Sequence, residues 1–347
     1  MTPMTETPPR DGDASLIAPY ESLSFFLNLN PPQADFRADA LAVLSGAAPS
    51  LSPKYLYDAK GSALFERITE LEEYYPTRAE QAIVADNAAA ISAAIGPNRA
   101  VFEYGSGASE KIKRLIGLME KPSAYVALDI SCEHLLASST ALAGDVDVPV
   151  GAICADFTSD ARPPAELFAA DQAWLGYFPG STLGNLSDDE AIGLLNRAAA
   201  ALGPGARFLV GVDLAKDEET LRLAYDDPAG VSAEFNLNLL RRMRRELDAE
   251  IEVDAFVHDL TIAPSPQRVE MRLRAIRDTE IRLPVSEEAG AETRAFAFPA
   301  GAALHTETSR KYDLEAFDAF LAPTPWRAAH AWTDPRRFFA VCLLERD

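Results

Sequence analysis

Basic residues are scarce in this 347-residue sequence: 32 lysines and arginines face 53 aspartates and glutamates, for a formal charge of −21. A surface of that sign repels phosphate backbones and anionic headgroups, so nucleic-acid and membrane partners are disfavoured and a small substrate is expected. Cysteine is rare too. Cys132, Cys154 and Cys342 form no CxxC pair and are odd in number. They predict small buried thiols in a reducing compartment, with no disulfide scaffold and no thiolate zinc site. The four histidines, His134, His258, His305 and His330, lack HExxH-type spacing, so no metal is expected. No apolar run approaches the ~20 residues of a membrane span. The opening MTPMTETPPRDGDAS is polar and acidic where a secretion signal would be basic and then apolar. Residues 1–17 are read as a disordered leader, and a cytoplasmic location is expected.

What is present is an ordinary globular composition, 48% hydrophobic and 24% charged, in a chain long enough for one large domain or two modest ones. Residues 33–47 and the stretch from Ser52 to Ile95 show helical spacing of apolar residues. From residue 100 short apolar runs alternate with helical stretches: AVFEY, AYVALDI, GAIC, AWLGYF and RFLVGVDL. That rhythm means βαβ units and a mostly parallel sheet. The stretch from about 216 to 311 breaks it, with a long helix, VSAEFNLNLLRRMRRELDAE, followed by alternating strand-like runs. RFFAVCLLERD then reads as a last strand. The expected fold is α/β: a Rossmann-like sheet, residues 18–215 plus 312–347, with a smaller inserted α+β substrate-binding domain at 216–311.

Parallel sheets bind ligands beyond the carboxyl ends of their strands. There the sequence places VFEYGSGASEKIKRLI, with Gly105 and Gly107 ending the first strand of the alternating series. The third glycine of a dinucleotide fingerprint is missing, since Glu110 holds that position; a nicotinamide-dependent oxidoreductase is disfavoured. Glu103 precedes the turn and Asp129 ends the next strand, placed to accept from ribose hydroxyls. Asp156-Phe157 follows the third strand, with an acceptor for an exocyclic amine and an apolar face for a purine. An acid-rich crevice with no phosphate cradle suits a cationic nucleoside, and S-adenosylmethionine is one.

The chain resembles the histidine-specific S-adenosylmethionine-dependent N-α-methyltransferases, which convert histidine to its betaine, hercynine, on the route to ergothioneine. The blocks that carry the likeness run in order from about residue 50 to 335. They are KYLYDAKGSALFERITELEEYYPTRAE, FEYGSGASEKIKRL, YVALDIS, ADFT, GYFPGSTLGNLS, VGVDLAKDEETLRLAYDDPAGVSAEFNLNLL, RVEMRL, HTETSRKY and WTDP. The resemblance implies donor contacts from Gly105, Lys111, Asp129, Asp156 and Phe157. It implies that Tyr74, Asn185 and Tyr225 surround the amino and carboxylate groups of the amino acid. Glu307 and Ser309 would face the imidazole, with Met271 lining the pocket. Thr308, Arg310 and Tyr312 depart from the commoner residues of the family beside those contacts. The implied partner is L-histidine, with room for downstream enzymes of the ergothioneine pathway.

The residue types suit that chemistry. Tyrosine hydroxyls and an asparagine amide can donate to a carboxylate. A carboxylate and a hydroxyl can satisfy both nitrogens of an imidazole, and Glu307 would favour the protonated ring. No residue stands out as a strong base, so Tyr74 and Asn185 are assigned to positioning, and the amine is expected to lose its proton to water with the assistance of a tyrosine hydroxyl. The rival acceptor is a different amino acid with the same fold and donor.

Overall fold

The computed structural model describes residues 18–31, 35–106, 109–288 and 290–346; the leader expected at 1–17 lies outside them. Two strands, β1 (Ala18–Tyr20) and β2 (Leu23–Asn28), open the described chain. Four helices follow: α1 (Phe36–Leu44), α2 (Ala59–Glu70), α3 (Tyr75–Asp86) and α4 (Ala88–Ile95). Three of these starts have a local cause. Asp35 and Asp58 accept from the Ala38 and Gly61 N–H groups as N-caps, and Pro76 sits in the first turn of α3, where its missing N–H costs nothing.

The expected alternation then appears: β3 (Ala100–Tyr104), α5 (Ser109–Leu118), β4 (Ala124–Asp129), α6 (Cys132–Asp145), β5 (Val150–Cys154), β6 (Trp174–Phe178), α7 (Asp188–Leu202) and β7 (Arg207–Asp213). β3 to β6 are buried at nearly every position, as strands covered on both faces must be. Helices α8 (Glu218–Tyr225) and α9 (Val231–Glu246) lead into β8 (Glu250–Ile251), β9 (Phe256–Pro264), β10 (Gln267–Ala275), β11 (Thr279–Pro284), β12 (Thr293–Phe298) and β13 (Ala303–Arg310). α10 (Leu314–Leu321), β14 (Trp326–Thr333) and β15 (Phe339–Arg346) complete the chain.

The large sheet has nine strands in the order β1-β2-β5-β4-β3-β6-β7-β15-β14. β2 through β7 pair in parallel, while β15 and β14 return antiparallel. Strand order reverses at β3, and a ligand crevice forms at such a switch point. Two three-stranded sheets, β13-β10-β9 and β12-β11-β8, lie in the stretch that broke the alternating pattern.

Four features depart from the sequence reading. β1 and β2 extend the large sheet, with Phe25 paired to Gly151 in register; a Cβ at Gly151 would strike the Phe25 ring at 2.1 Å. The segment containing Glu307, to which the sequence reading assigns no element, is strand β13. Residues of α1 and α2 share a hydrophobic core with α9, β10 and β11, and Arg37 Nη1 donates to the Leu247 and Pro284 carbonyls. The two ends of this second core are far apart in sequence, so periodicity could not pair them. Finally, Cys132 and Cys154 are joined in a disulfide, with Cα atoms 5.2 Å apart, against the expectation of free thiols. The cause is tertiary: Cys154 pairs in register with Asp129 across β4 and β5, and Cys132 lies three residues past Asp129. Cysteine usage therefore does not speak for a reducing compartment. Cys342 alone matches the buried-thiol expectation, its pKa pushed up to about 12 by burial. Among the described residues no helix is long and apolar enough to cross a membrane, and no cluster of metal-ligating side chains occurs.

Candidate active site

At the carboxyl edge of the parallel strands the backbone turns out of β3 at Gly105, whose φ of 73° favours glycine. Its N–H and that of Ser106 both donate to the Leu128 carbonyl at 2.9 and 3.1 Å. Gly107 lies outside the described residues. Beneath the turn, Glu103 is 2% exposed and accepts from the Tyr125 hydroxyl at 2.5 Å, with Ser106 Oγ 3.0 Å from that hydroxyl. Burial pushes the Glu103 carboxyl up to about 7. It acts as a buried brace for the turn, where the sequence reading had counted it among the acids of the crevice.

Asp129 ends β4 and accepts from the Ser131 N–H at 2.8 Å through Oδ1. Burial raises its pKa, so a hydroxyl donor reaching Oδ2 would be held strongly. Asp156 follows β5; Thr158 donates to its Oδ1 through N–H and hydroxyl, both at 2.7 Å. That turn leaves Oδ2 for a ligand, and Phe157 packs 6.0 Å from the Phe178 ring. Lys111 is paired with Glu80 of α3 at 2.7 Å, and Glu80 also accepts from the Gly180 N–H at 2.8 Å. Lys111 therefore ties α5 to α3 and to the loop after β6. Gly105, Asp129, Asp156 and Phe157 line one edge, and their two acceptor carboxylates and apolar ring fit a nucleoside with ribose hydroxyls and a cationic centre.

The second group converges from five elements. Past the bulge at Thr306 β13 alternates, so Glu307 and Ser309 share one face. Met271, on β10, pairs directly with Glu307. Asn185 ends the turn after β6 and donates from Nδ2 to Glu307 Oε1 at 2.9 Å. Tyr225, the last residue of α8, lies with its hydroxyl 3.0 Å from Ser309 Oγ and its ring 6.1 Å from that of Tyr74. His258 holds this helix end: Asn236 donates to its Nδ1, so its Nε2–H donates to the Tyr225 carbonyl, both at 2.9 Å. Ser181 is left-handed at φ 60° and accepts from the Asp213 N–H at 2.9 Å, which fixes the turn that carries Asn185. All six residues assigned to the amino acid thus belong to one neighbourhood.

The sequence reading missed the charges behind them. Asp213, at the end of β7 and 1% exposed, accepts from Lys216 at 2.6 Å, from Lys311 at 2.7 Å and from the Tyr75 hydroxyl at 2.8 Å. Burial works against its ionisation, but the two lysines hold its pKa below the usual range. Lys216 is pushed down to about 8 by burial. Glu307, 6% exposed, is pushed up to about 7 by burial, with Lys311 opposing the rise. Tyr75, Tyr225 and Tyr74 have hydroxyls raised well above the ordinary value, mainly by burial. They stay protonated and serve as hydrogen-bonding groups, not as bases. A signal for Lys311 existed: in HTETSRKY it continues the alternation of Glu307 and Ser309. Tyr75, Asp213 and Lys216 also sit in motif blocks, but nothing in those blocks shows that they meet.

A sheet that switches direction at β3, a glycine turn there and carboxylates after the next two strands define a Rossmann-like methyltransferase fold. The model of the family described as histidine-specific, S-adenosylmethionine-dependent methyltransferases matches residues 36–346, and the chain belongs to that family. Over 329 residues it is 37% identical to the histidine N-alpha-methyltransferase of Mycolicibacterium smegmatis, covering 94% of this chain and 99% of that protein. It is 36% identical over 318 residues to the histidine N-alpha-methyltransferase of Mycobacterium tuberculosis, with 89% and 94% covered. A shorter match, 32% identical over 191 residues, spans 54% of this chain and 22% of ergothioneine biosynthesis protein 1 of Neurospora crassa.

Proposed function

We propose that this chain transfers methyl groups from S-adenosylmethionine to the α-amine of L-histidine, three times, giving hercynine, the first step of ergothioneine biosynthesis. The observation that carries the reading is the placement of a buried carboxylate and hydroxyl, Glu307 and Ser309, on one strand face among Tyr74, Asn185 and Tyr225. Family membership and the names of the long relatives support it. The substrate unit comprises residues 216–311 together with α1 and α2, which share its core. A cytoplasmic location suits an enzyme that draws on free histidine and S-adenosylmethionine.

When bound, S-adenosylmethionine supplies an electrophilic methyl on a sulfonium. Gly105, Asp129, Asp156 and Phe157 would hold its nucleoside, while Glu307 and Ser309 hold the imidazole. Tyr74, Asn185 and Tyr225 orient the backbone end so that the amine nitrogen faces the methyl, and such orientation supplies much of the rate. With the tyrosine hydroxyls kept neutral, the amine proton leaves to water before each transfer. The test is to incubate the purified protein with histidine and donor and weigh the products. Mass gains of one, two and three methyl groups are expected. A panel in which another amino acid gains methyl and histidine does not would refute the acceptor assignment.

A further inference from the structure

Lys311 is fully buried, with no side-chain exposure, and its ammonium has three hydrogens for three acceptors. It donates to Asp213 Oδ2 at 2.7 Å, to the Tyr225 hydroxyl at 2.6 Å and to Ser309 Oγ at 2.8 Å. Both hydroxyl oxygens thus already accept one charge-assisted bond. They also lie 3.0 Å from each other, and only one of them can be the donor in that contact. Serine oxygen has two lone pairs and takes a second bond readily, whereas the phenolic oxygen shares electron density with its ring. Tyr225 therefore donates to Ser309. With both lone pairs filled, Ser309 has only its hydrogen left to offer.

We propose that Lys311 is a positioning and specificity-determining residue: by filling the acceptor side of Ser309 it lets that hydroxyl meet the ring of bound histidine only as a donor, so that the pocket selects the neutral imidazole. This rests on the histidine reading above. Glu307 then accepts from the ring N–H, and Ser309 donates to the unprotonated nitrogen. Charge points the same way. Once Glu307 is ionised, Asp213 and Glu307 carry one negative charge each, and Lys216 and Lys311 one positive charge each. In that form the buried group is neutral, and an imidazolium would leave it with an uncompensated cation in a dry site. The expectation that Glu307 favours the protonated ring left Lys311 out.

The test uses hercynine, whose quaternary nitrogen cannot titrate, with the full-length protein loaded with S-adenosylhomocysteine. Calorimetry gives the Kd between about pH 6 and about pH 7.5. The groups facing the pair are Asp213, Lys216, His258, Tyr57, Tyr74, Tyr75 and Tyr225. If binding requires both a neutral ring and an ionised Glu307, affinity rises about thirtyfold over that window. If the pocket takes imidazolium, loss of the ring proton offsets ionisation of Glu307 and the profile is flat, which overturns the proposal. Lys311→Met should weaken hercynine binding about tenfold and leave S-adenosylhomocysteine binding unchanged. That loss should shrink to about threefold or less when Ser309 is already alanine, because the lysine acts through the hydroxyl. Equal losses in both backgrounds would make Lys311 merely structural and overturn its assigned role. If no heat appears with hercynine at any pH and no histidine is methylated, the functional reading fails, and this inference falls with it.

Discussion

Glu307→Gln should make the ligand-free protein more stable and the enzyme worse, and the size of the first effect follows from the structure. Raising this carboxyl from 4.5 to about 7 by burial means that its ionised form costs about 3 kcal/mol of folding free energy. The sign follows from proton counts. Between the unfolded and folded pKa values the native state holds a proton that the unfolded chain has released. The associated stability is therefore present below about pH 4.5 and is lost as pH rises through about 7. Glutamine keeps the shape and the bond from Asn185 but has no charge to bury. Relative to wild type it should gain about 2–3 kcal/mol between about pH 5 and pH 8. For a chain of this length that corresponds to a relative rise in Tm of about 3 °C. Thermal melts of both proteins across that range read it directly. A Tm difference that does not change with pH, or a variant less stable at pH 8, would refute the reading of Glu307 as a buried, strained anion. In the same variant the KM for histidine should rise about 10- to 100-fold, as a charge-assisted hydrogen bond is worth ~1.5–3 kcal/mol, with little change for the donor. A fall in kcat at unchanged KM would assign Glu307 to proton removal instead.

Replacing Asp129 with alanine should weaken S-adenosylmethionine binding by ~1–3 kcal/mol; equilibrium titration that finds unchanged affinity rejects the ribose contact. Alanine at Gly184 would bring a Cβ within 2.7 Å of the Arg310 carbonyl, between the Asn185 turn and β13. It should cost ~1–3 kcal/mol of stability and raise the KM for histidine more than that for the donor, a split that steady-state kinetics checks. Reducing the Cys132–Cys154 disulfide, which spans 22 positions, should cost ~3 kcal/mol by the chain-entropy estimate. Denaturation with and without reductant measures this, and no change would show that the bridge does not restrain the unfolded chain.

Local patterns were legible where the physics is local. β3, read as AVFEY, and α9, read within VSAEFNLNLLRRMRRELDAE, fall where spacing placed them, because strand period, helix period and glycine turns act over a few residues. Glu307 and Ser309 were named through the motif HTETSRKY, and the structure puts them beside Asn185 and Tyr225. Lys311, two residues further on the same face, went unnamed because no element is assigned to HTETSRKY in the sequence reading and its alternation was not followed.

The sequence by itself determined the alternating strands and helices, the glycine turn at the edge of β3, the acidic character and the family likeness. Each of these is written in neighbouring residues or in motif order. Only the tertiary structure decided that α1 and α2 complete the core around α9, that two distant cysteines meet, and that Asp213, Lys216, Lys311 and Glu307 form one buried group. Those outcomes depend on contacts between residues tens to hundreds of positions apart. The energies that matter there, desolvation and charge pairing, do not exist until folding has removed the water.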